Sequence, residues 1–266
     1  MQYGSDLINI KKILGPGYCP ECDAGGRSGR VLLDVHSENV DTVYMPKPEI
    51  LRAKRAPASP RKAAVRSYHH GDLRSAVLDE ADRLLEKHGI ENLSLRDVAQ
   101  NLGVSHAAPY RHFPRKLDLL LALAEKGFSE LGDAMEKAFT AKSPEERFQS
   151  SGLLYVKLAV AHPVRTQLMF SKTIQCDDAP DSLQQAGQRA FQGLVSIIED
   201  GQKAGEFKTN SDAMTLAVSA WSMVHGIAGL ISGGQLAEAA TSKGDGFVRT
   251  ILSQLYSGVR KEKKGR

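Results

Sequence analysis

Residues 93–123 read LSLRDVAQNLGVSHAAPYRHFPRKLDLLLAL. Ser94 is of the type that caps a helix start, and it precedes an apolar repeat of Leu95, Val98, Ala99 and Leu102, with Arg96 and Asp97 on the other side. Gly103 ends this helix, and a turn of Gly103 and Val104 leads to Ser105, which opens a second short helix, SHAAPYRHF, closed by Pro114. Two short helices around a Gly-containing turn make a helix-turn-helix. Pro109 lies inside the second helix, where a proline normally interrupts backbone bonding. Counted from Ser105, it falls at the edge of the first turn, where few donors have intrahelical partners, so one hydrogen bond at most is forfeited. Pro109 and Phe113 then form an inward i, i+4 pair, leaving His106, Ala107, Tyr110 and Arg111 outward, with Ala108 and His112 at the flanks. Small residues beside hydrogen-bond donors suit a helix that must approach the floor of a DNA major groove.

Upstream, Leu73, Val77, Leu78, Ala81, Leu84, Leu85 and His88 recur at helical spacing before Gly89, which predicts a first helix that completes a three-helix head. The head is not basic overall: residues 68–127 hold eight Lys or Arg and nine Asp or Glu. Distribution decides the reading. Arg111, His112, Arg115 and Lys116 follow the reading segment with no acid among them, whereas Asp72, Asp79, Glu80, Asp82 and Glu86 gather on the first helix. One side of the head is therefore suited to phosphates, with Tyr110, His112, Ser94, Ser105 and helix-start N–H groups as donors. His106 and Arg111 are placed for either base edges or phosphates.

With these residues in view, LSLRDVAQNLGVSHAAPYRHFPRKLDLLLAL resembles the DNA-binding region of the TetR/AcrR family of one-component bacterial regulators, over about residues 68–127. Ser94, the VAQNLGVS turn, Tyr110, His112, Phe113 and Lys116 carry the resemblance; Pro109 departs from the Leu or Ile of many members and resembles a subgroup. That subgroup tends to carry Trp-x-x-x-His-Gly in its C-terminal domain, here Trp221, His225 and Gly226. The resemblance implies an all-α homodimer whose C-terminal domain holds a small-molecule effector. Its carried-over DNA contacts are Ser94, Arg96, Ser105, His106, Ala107, Ala108, Tyr110, Arg111, His112 and Lys116.

Beyond Lys116 helical patterns run over 116–140, 144–161, 163–171, 181–204, 211–232 and 244–258, with no convincing strand, so the fold is read as all-α. The 181–204 helix places Leu183, Ala190, Leu194, Ile197 and Ile198 along one side. Residues 213–232 carry no Asp, Glu, Lys or Arg over a length that just spans a bilayer. Their Ser, Thr, His and Gly content fits a helix packed in protein, against its own core and a second subunit. Tyr155, Met169, Phe170, Trp221, Met223 and His225 are candidate walls of a lipophilic effector pocket; each also suits ordinary core.

Residues 1–44 show no sustained period, and 45–66 hold seven Lys or Arg, one Glu and four Pro. The expected organisation is an extension over 1–66, little structured and ending in a basic Pro-rich arm, then a DNA-binding head over 67–127, a helical domain over 128–260 and a basic tail over 261–266. Met45 is an alternative start. Arg61, Lys62 and Arg66 are placed to follow phosphates or enter a minor groove, or merely to solubilise a linker. Three cysteines fit a reducing cytoplasm rather than a disulfide framework. Cys19 and Cys22 have the spacing of half a zinc site, with His36 and Cys176 as the nearest further ligands, and are read as incidental. No metal, cofactor or catalytic residue is expected, since HExxH, GxSxG, phosphate-loop and dinucleotide fingerprints are absent. The net charge of +4 permits a nucleic-acid partner without requiring one. The sequence thus reads as a ligand-responsive DNA-binding repressor acting as a dimer on a palindromic operator. An α-helical small-molecule-binding protein or enzyme with a non-functional DNA-binding module is the other reading.

Overall fold

The computed structural model describes residues 73–261. The predicted arm over 45–66, the Cys19, Cys22 and His36 group, Asp72 and residues 262–266 of the tail lie outside the described residues. Within them the chain is all-helical, with one isolated bridge between Phe207 and Arg260. The helices are α1 (Leu73–Asn92), α2 (Leu95–Leu102), α3 (Lys116–Phe139), α4 (Pro144–Ala161), α5 (Pro163–Met169), α6 (Asp181–Lys203), α7 (Ala213–Ser232), α8 (Ala237–Lys243) and α9 (Asp245–Val259).

In α1, Val77, Ala81, Leu84 and Leu85 are buried and Leu73 and Leu78 pack beside them, as the period predicts, but His88 is exposed. Gly89 breaks the helical path with φ 80° and ψ 169°, and one further turn reaches Asn92. Ser94 caps α2 by accepting from the Arg96 N–H at 3.2 Å, and Gly103 closes it in the left-handed region at φ 68°, where a side chain would be strained.

The predicted helix from Ser105 is a correction. Residues 106–108 form turns, and Pro109–Arg111 is a single 3₁₀ turn. An α-helix capped at Ser105 would close its first bond from the N–H of residue 109, which proline lacks. The Ser105 carbonyl instead accepts from Ala108 N at 2.9 Å, and His112 N donates to the Pro109 carbonyl at 3.0 Å. Tighter i→i+3 bonding is the local solution. The inward pair holds all the same, with Pro109 buried and Phe113 only 2% exposed.

From Lys116 the chain follows the predicted helices to within one to two residues at most ends. Helix α3 is the spine, packing on α6, α4, α5 and α1, and α4 lies among α3, α6, α7 and α9. The helix α8 has no buried residue, so no apolar period announces it in the sequence. A second apolar cluster, built around Phe148, Ile197, Ile198, Phe207 and Tyr256, fills the far end of this body. Helix α7 buries Ala217, Ala220, Val224, Ile227, Ala228 and Ile231 on one face. Its opposite face, with Ser219, Ser222, Met223, Gly226, Gly229 and Leu230, is exposed.

Candidate nucleic-acid interface and apolar cavity

The edge opposite the head's core carries His106, Ala107, Tyr110, Arg111 and His112, all exposed, with Ala108 half-buried behind them. Pro109 and Phe113 anchor this edge by pointing the other way, so a rigid turn presents the donors. Arg74 of α1 sets its guanidinium 5.2 Å from the Phe113 ring centroid and so brings a cation to the same end of the head. No sequence pattern marks it, because the stacking needs the folded Phe113 position. Ser94 accepts at its hydroxyl oxygen in the α2 cap, which leaves its O–H to donate, and Arg96 is exposed beside it. Lys116 donates to the Glu91 carbonyl at 2.7 Å, tying the start of α3 to the end of α1. An ammonium has donors to spare for an incoming anion.

Arg115 does not belong to that cationic edge. Its guanidinium binds Asp118 at 2.6 Å and Asp178 at 2.8 Å, and Asp118 also accepts from the Arg115 backbone N–H at 2.8 Å to cap α3. The hydrogen bonds from Arg115 hold the Asp118 carboxyl below the ordinary range. Sequence adjacency suggested a solvent-facing cation; the fold supplies two acids.

Asp79, Glu80, Asp82 and Glu86 of α1 are likewise engaged by other residues, although Asp79 stays exposed. Glu80 accepts from Arg83 and, at 2.7 Å, from Asn101 of α2, which fixes the α1–α2 contact. The Arg83 bond, with help from Asn101, lowers its pKa. Asp79 and Asp82 meet Lys126 of α3 at 2.8 and 3.2 Å. Burial pulls that ammonium down, but the two carboxylates outweigh it and hold its pKa above the ordinary lysine value. Arg165 of α5, with no exposed surface, reaches Asp82 at 2.6 Å and Glu130 of α3, while Glu86 accepts from the Val164 and Arg165 backbone N–H groups at 3.1 and 2.9 Å. Acids that would repel phosphate are thus consumed at the junction of head and body.

Inside the body lies a cavity with about 90 Å³ of internal space, widening into a mouth so that the whole void, open solvent included, measures about 910 Å³. Helices α3, α4, α6, α7 and α9 and Phe170 line it. Tyr155, Phe170 and Trp221 stand in the wall. His225 sits behind it, its ring 4.9 Å from Phe170 and 5.8 Å from Trp221. Tyr155 Oη and His225 Nδ1 are 2.6 Å apart. Burial pushes the Tyr155 phenol up to about 12, opposed by a hydrogen bond from the Trp221 indole, and burial lowers His225.

Two of the expected pocket residues lie elsewhere. Met223, 44% exposed, is on the outer face of α7, because two residues beyond Trp221 turn a helix by about 200°. Met169 is buried against Gly127 and the Arg165 side chain, away from the cavity. Sequence reasoning missed the walls from α3, α6 and α9, such as Phe128, Leu131, Phe191 and Leu252. Their spacing is that of any core residue, and nothing in a helical period marks which core positions border a void.

Two family models match the chain: bacterial regulatory proteins of the tetR family over residues 77–123, and the tetracyclin repressor-like C-terminal domain over 148–255. An HTH-type transcriptional regulator of Mycobacterium tuberculosis is 26% identical over 144 residues, which cover 53% of this chain and 62% of that protein. The chain is also 36% identical over 73 residues to the HTH-type transcriptional regulator AcrR of Shigella flexneri, covering 27% of this chain and 34% of that one. A solved structure of a protein of unknown function from Rhodococcus sp. RHA1 is 37% identical, with a TM-score of 0.65 over 73% of this chain and 99% of that one. Most of the head, with its Tyr110 edge, falls within the first model and most of the cavity-bearing helices within the second, and the chain belongs to the TetR family of bacterial regulatory proteins.

Proposed function

We propose that the protein is a cytoplasmic, ligand-responsive transcriptional repressor that binds a palindromic DNA operator as a homodimer and leaves it when a small molecule fills the cavity. The observation that carries this reading is the division of charge in the head. Tyr110, Arg111 and His112 are exposed on one edge, while Asp79, Asp82 and Glu86 are engaged by Lys126, Arg165 and the α5 backbone on the other. In this reading Tyr110, His112, Ser105, Ser94 and Lys116 hold phosphates, Arg96 and Arg74 flank them, and His106, Ala107, Ala108 and Arg111 approach the base edges. Trp221, His225 and Gly226 match the Trp-x-x-x-His-Gly signature of one subgroup of the family, and in this reading the signature acts as a cavity wall with its supporting histidine.

A second copy covers the outer faces of α7 and α9. Thr215, Ser219, Ser222, Gly226 and Gly229 on α7, with Thr250, Ser253 and Ser257 on α9, keep these exposed faces small-sided enough for close helix packing, and Met223 and Leu230 supply apolar area. This accounts for a helix apolar enough to cross a membrane, mean hydropathy 1.5, that buries only 28% of its most apolar window in one chain. Two-fold pairing sets the two heads about one DNA turn apart, roughly 34–36 Å, or a longer multiple. The effector acts by binding one spacing of the heads better than the other.

Fluorescence anisotropy with the DNA upstream of the protein's own coding sequence, against scrambled competitor, tests the reading. Specific binding that weakens steeply as salt rises is expected. Tight small-molecule binding with no sequence preference for DNA would instead support an α-helical binding protein whose head is inert.

A further inference from the structure

The cavity also limits which molecules can fill it. Among the described residues no Asp, Glu, Lys, Arg or His lines it, and the lining side chains with N–H or O–H groups are Ser151, Gln188, Tyr155 and Trp221. Ser151 donates to the Phe148 carbonyl at 2.8 Å, and Tyr155 is engaged by His225 and Trp221. A charged guest would therefore lose its water and find no counter-ion.

Aromatic walls can replace a counter-ion when their faces surround a cation within about 6 Å. Here the rings pack on one another, so a neighbouring ring takes part of the available faces. Phe128 meets Phe170 edge-on at 5.5 Å, Trp221 lies 5.4 Å from Phe170, His225 packs edge-on to the same ring, and Phe191 meets Trp221 edge-on at 6.2 Å. The remaining surface is largely aliphatic, from residues such as Leu131, Leu194 and Leu252. Phe170 also follows α5 directly, so the ring that borders the cavity is five residues from Arg165 at the head junction.

We propose that the ligand is an uncharged hydrophobic molecule with a single ring seated in the inner space and short apolar branches toward the mouth, and that cations and anions of the same shape are rejected. This rests on the reading of the cavity as the effector site. Its internal space of about 90 Å³ is smaller than the dry apolar cavity of about 150 Å³ that holds benzene, so no more than one ring enters, and that ring reaches into the widening mouth.

The chain's single tryptophan is in the wall, which gives a direct readout. The full chain, without DNA, is titrated with tert-butylbenzene and with phenyltrimethylammonium, which differ by one charge at nearly one shape. Acetophenone and benzoate form the second pair. Saturable change in Trp221 fluorescence and a raised Tm are expected for both neutral probes, with the charged ones about 100-fold weaker or more. Ala190→Leu, or the milder Ala190→Val, narrows the cavity and should weaken the neutral response while leaving the helical circular dichroism unchanged. Equal or tighter binding of a charged member, or no saturable response to either neutral probe, overturns the proposal. Neutral probes that bind yet never release DNA would leave the cavity's preference standing and sink the regulatory reading; release driven by a charged compound would do the reverse.

Discussion

Tyr155 and His225 show how one hydroxyl can hold a wall in place. Tyr155 Oη bonds His225 Nδ1 at 2.6 Å, so Tyr155→Phe leaves that half-buried nitrogen without its partner. A loss of about 1–3 kcal/mol is expected, measurable by urea denaturation. His225 has a pH signature as well. Burial holds it below its ordinary 6.5 in the folded chain, so as pH falls the unfolded chain takes up the proton first. Stability is full above about pH 6.5 and declines from there until the folded pKa is passed. Thermal melts of the wild type and His225→Gln between about pH 7.5 and 5 should show the steeper decline in the wild type; parallel curves would mean that His225 is not the group responsible. The pairing was visible in the sequence only as candidate residues. Trp221 and His225 are i, i+4 neighbours on one helix, whereas Tyr155 joins them across 70 positions.

At the scale of elements, the helical periods gave nearly every body helix because each buries one apolar face. They failed at α8, which buries none, and at the reading segment, where the missing N–H of one residue decides between an α-helix and a 3₁₀ turn. Pro109→Ala restores that N–H and lets it compete for the Ser105 carbonyl. Backbone carbon shifts at residues 106–110 should move toward α-helical values, at a cost of about 0.4–1 kcal/mol from the freer unfolded chain. Unmoved shifts would mean that the turn is set by packing on Phe113 instead. A different contact governs the far end of α6, where a methyl group on Gly201 would run into the Phe207 ring. Phe207 is fully buried and pinned by the bridge to Arg260, so it has little room to retreat. Gly201→Ala should therefore cost about 1–3 kcal/mol by overpacking, read from the shift in denaturation midpoint.

Across the whole molecule, the head is joined to the body by buried charge as well as by apolar contact. Arg165, Asp82, Glu130, Glu86 and Lys126 come from α1, α3 and α5, and no sequence period brings such residues together. The Arg165 side chain is 1% exposed, and its Nε and Asp82 Oδ1 are buried without a hydrogen-bond partner among the described residues. Ions this deeply buried stabilise little on balance, but they are costly to unpair. Arg165→Met takes the guanidinium from Asp82 and Glu130 and leaves Asp82 with Lys126 alone, so it should cost about 3 kcal/mol, the low end for a broken buried pair. Pairing it with Asp82→Leu removes both charges, so the double variant should recover much of that loss, and a double-mutant cycle in urea measures the coupling. A purely apolar junction specifies orientation less narrowly than fixed ion pairs do. The recovered double variant should therefore keep the Trp221 fluorescence response while binding operator DNA more weakly, because its heads no longer hold one spacing. Wild-type DNA affinity in that variant would show that apolar packing alone orients the head.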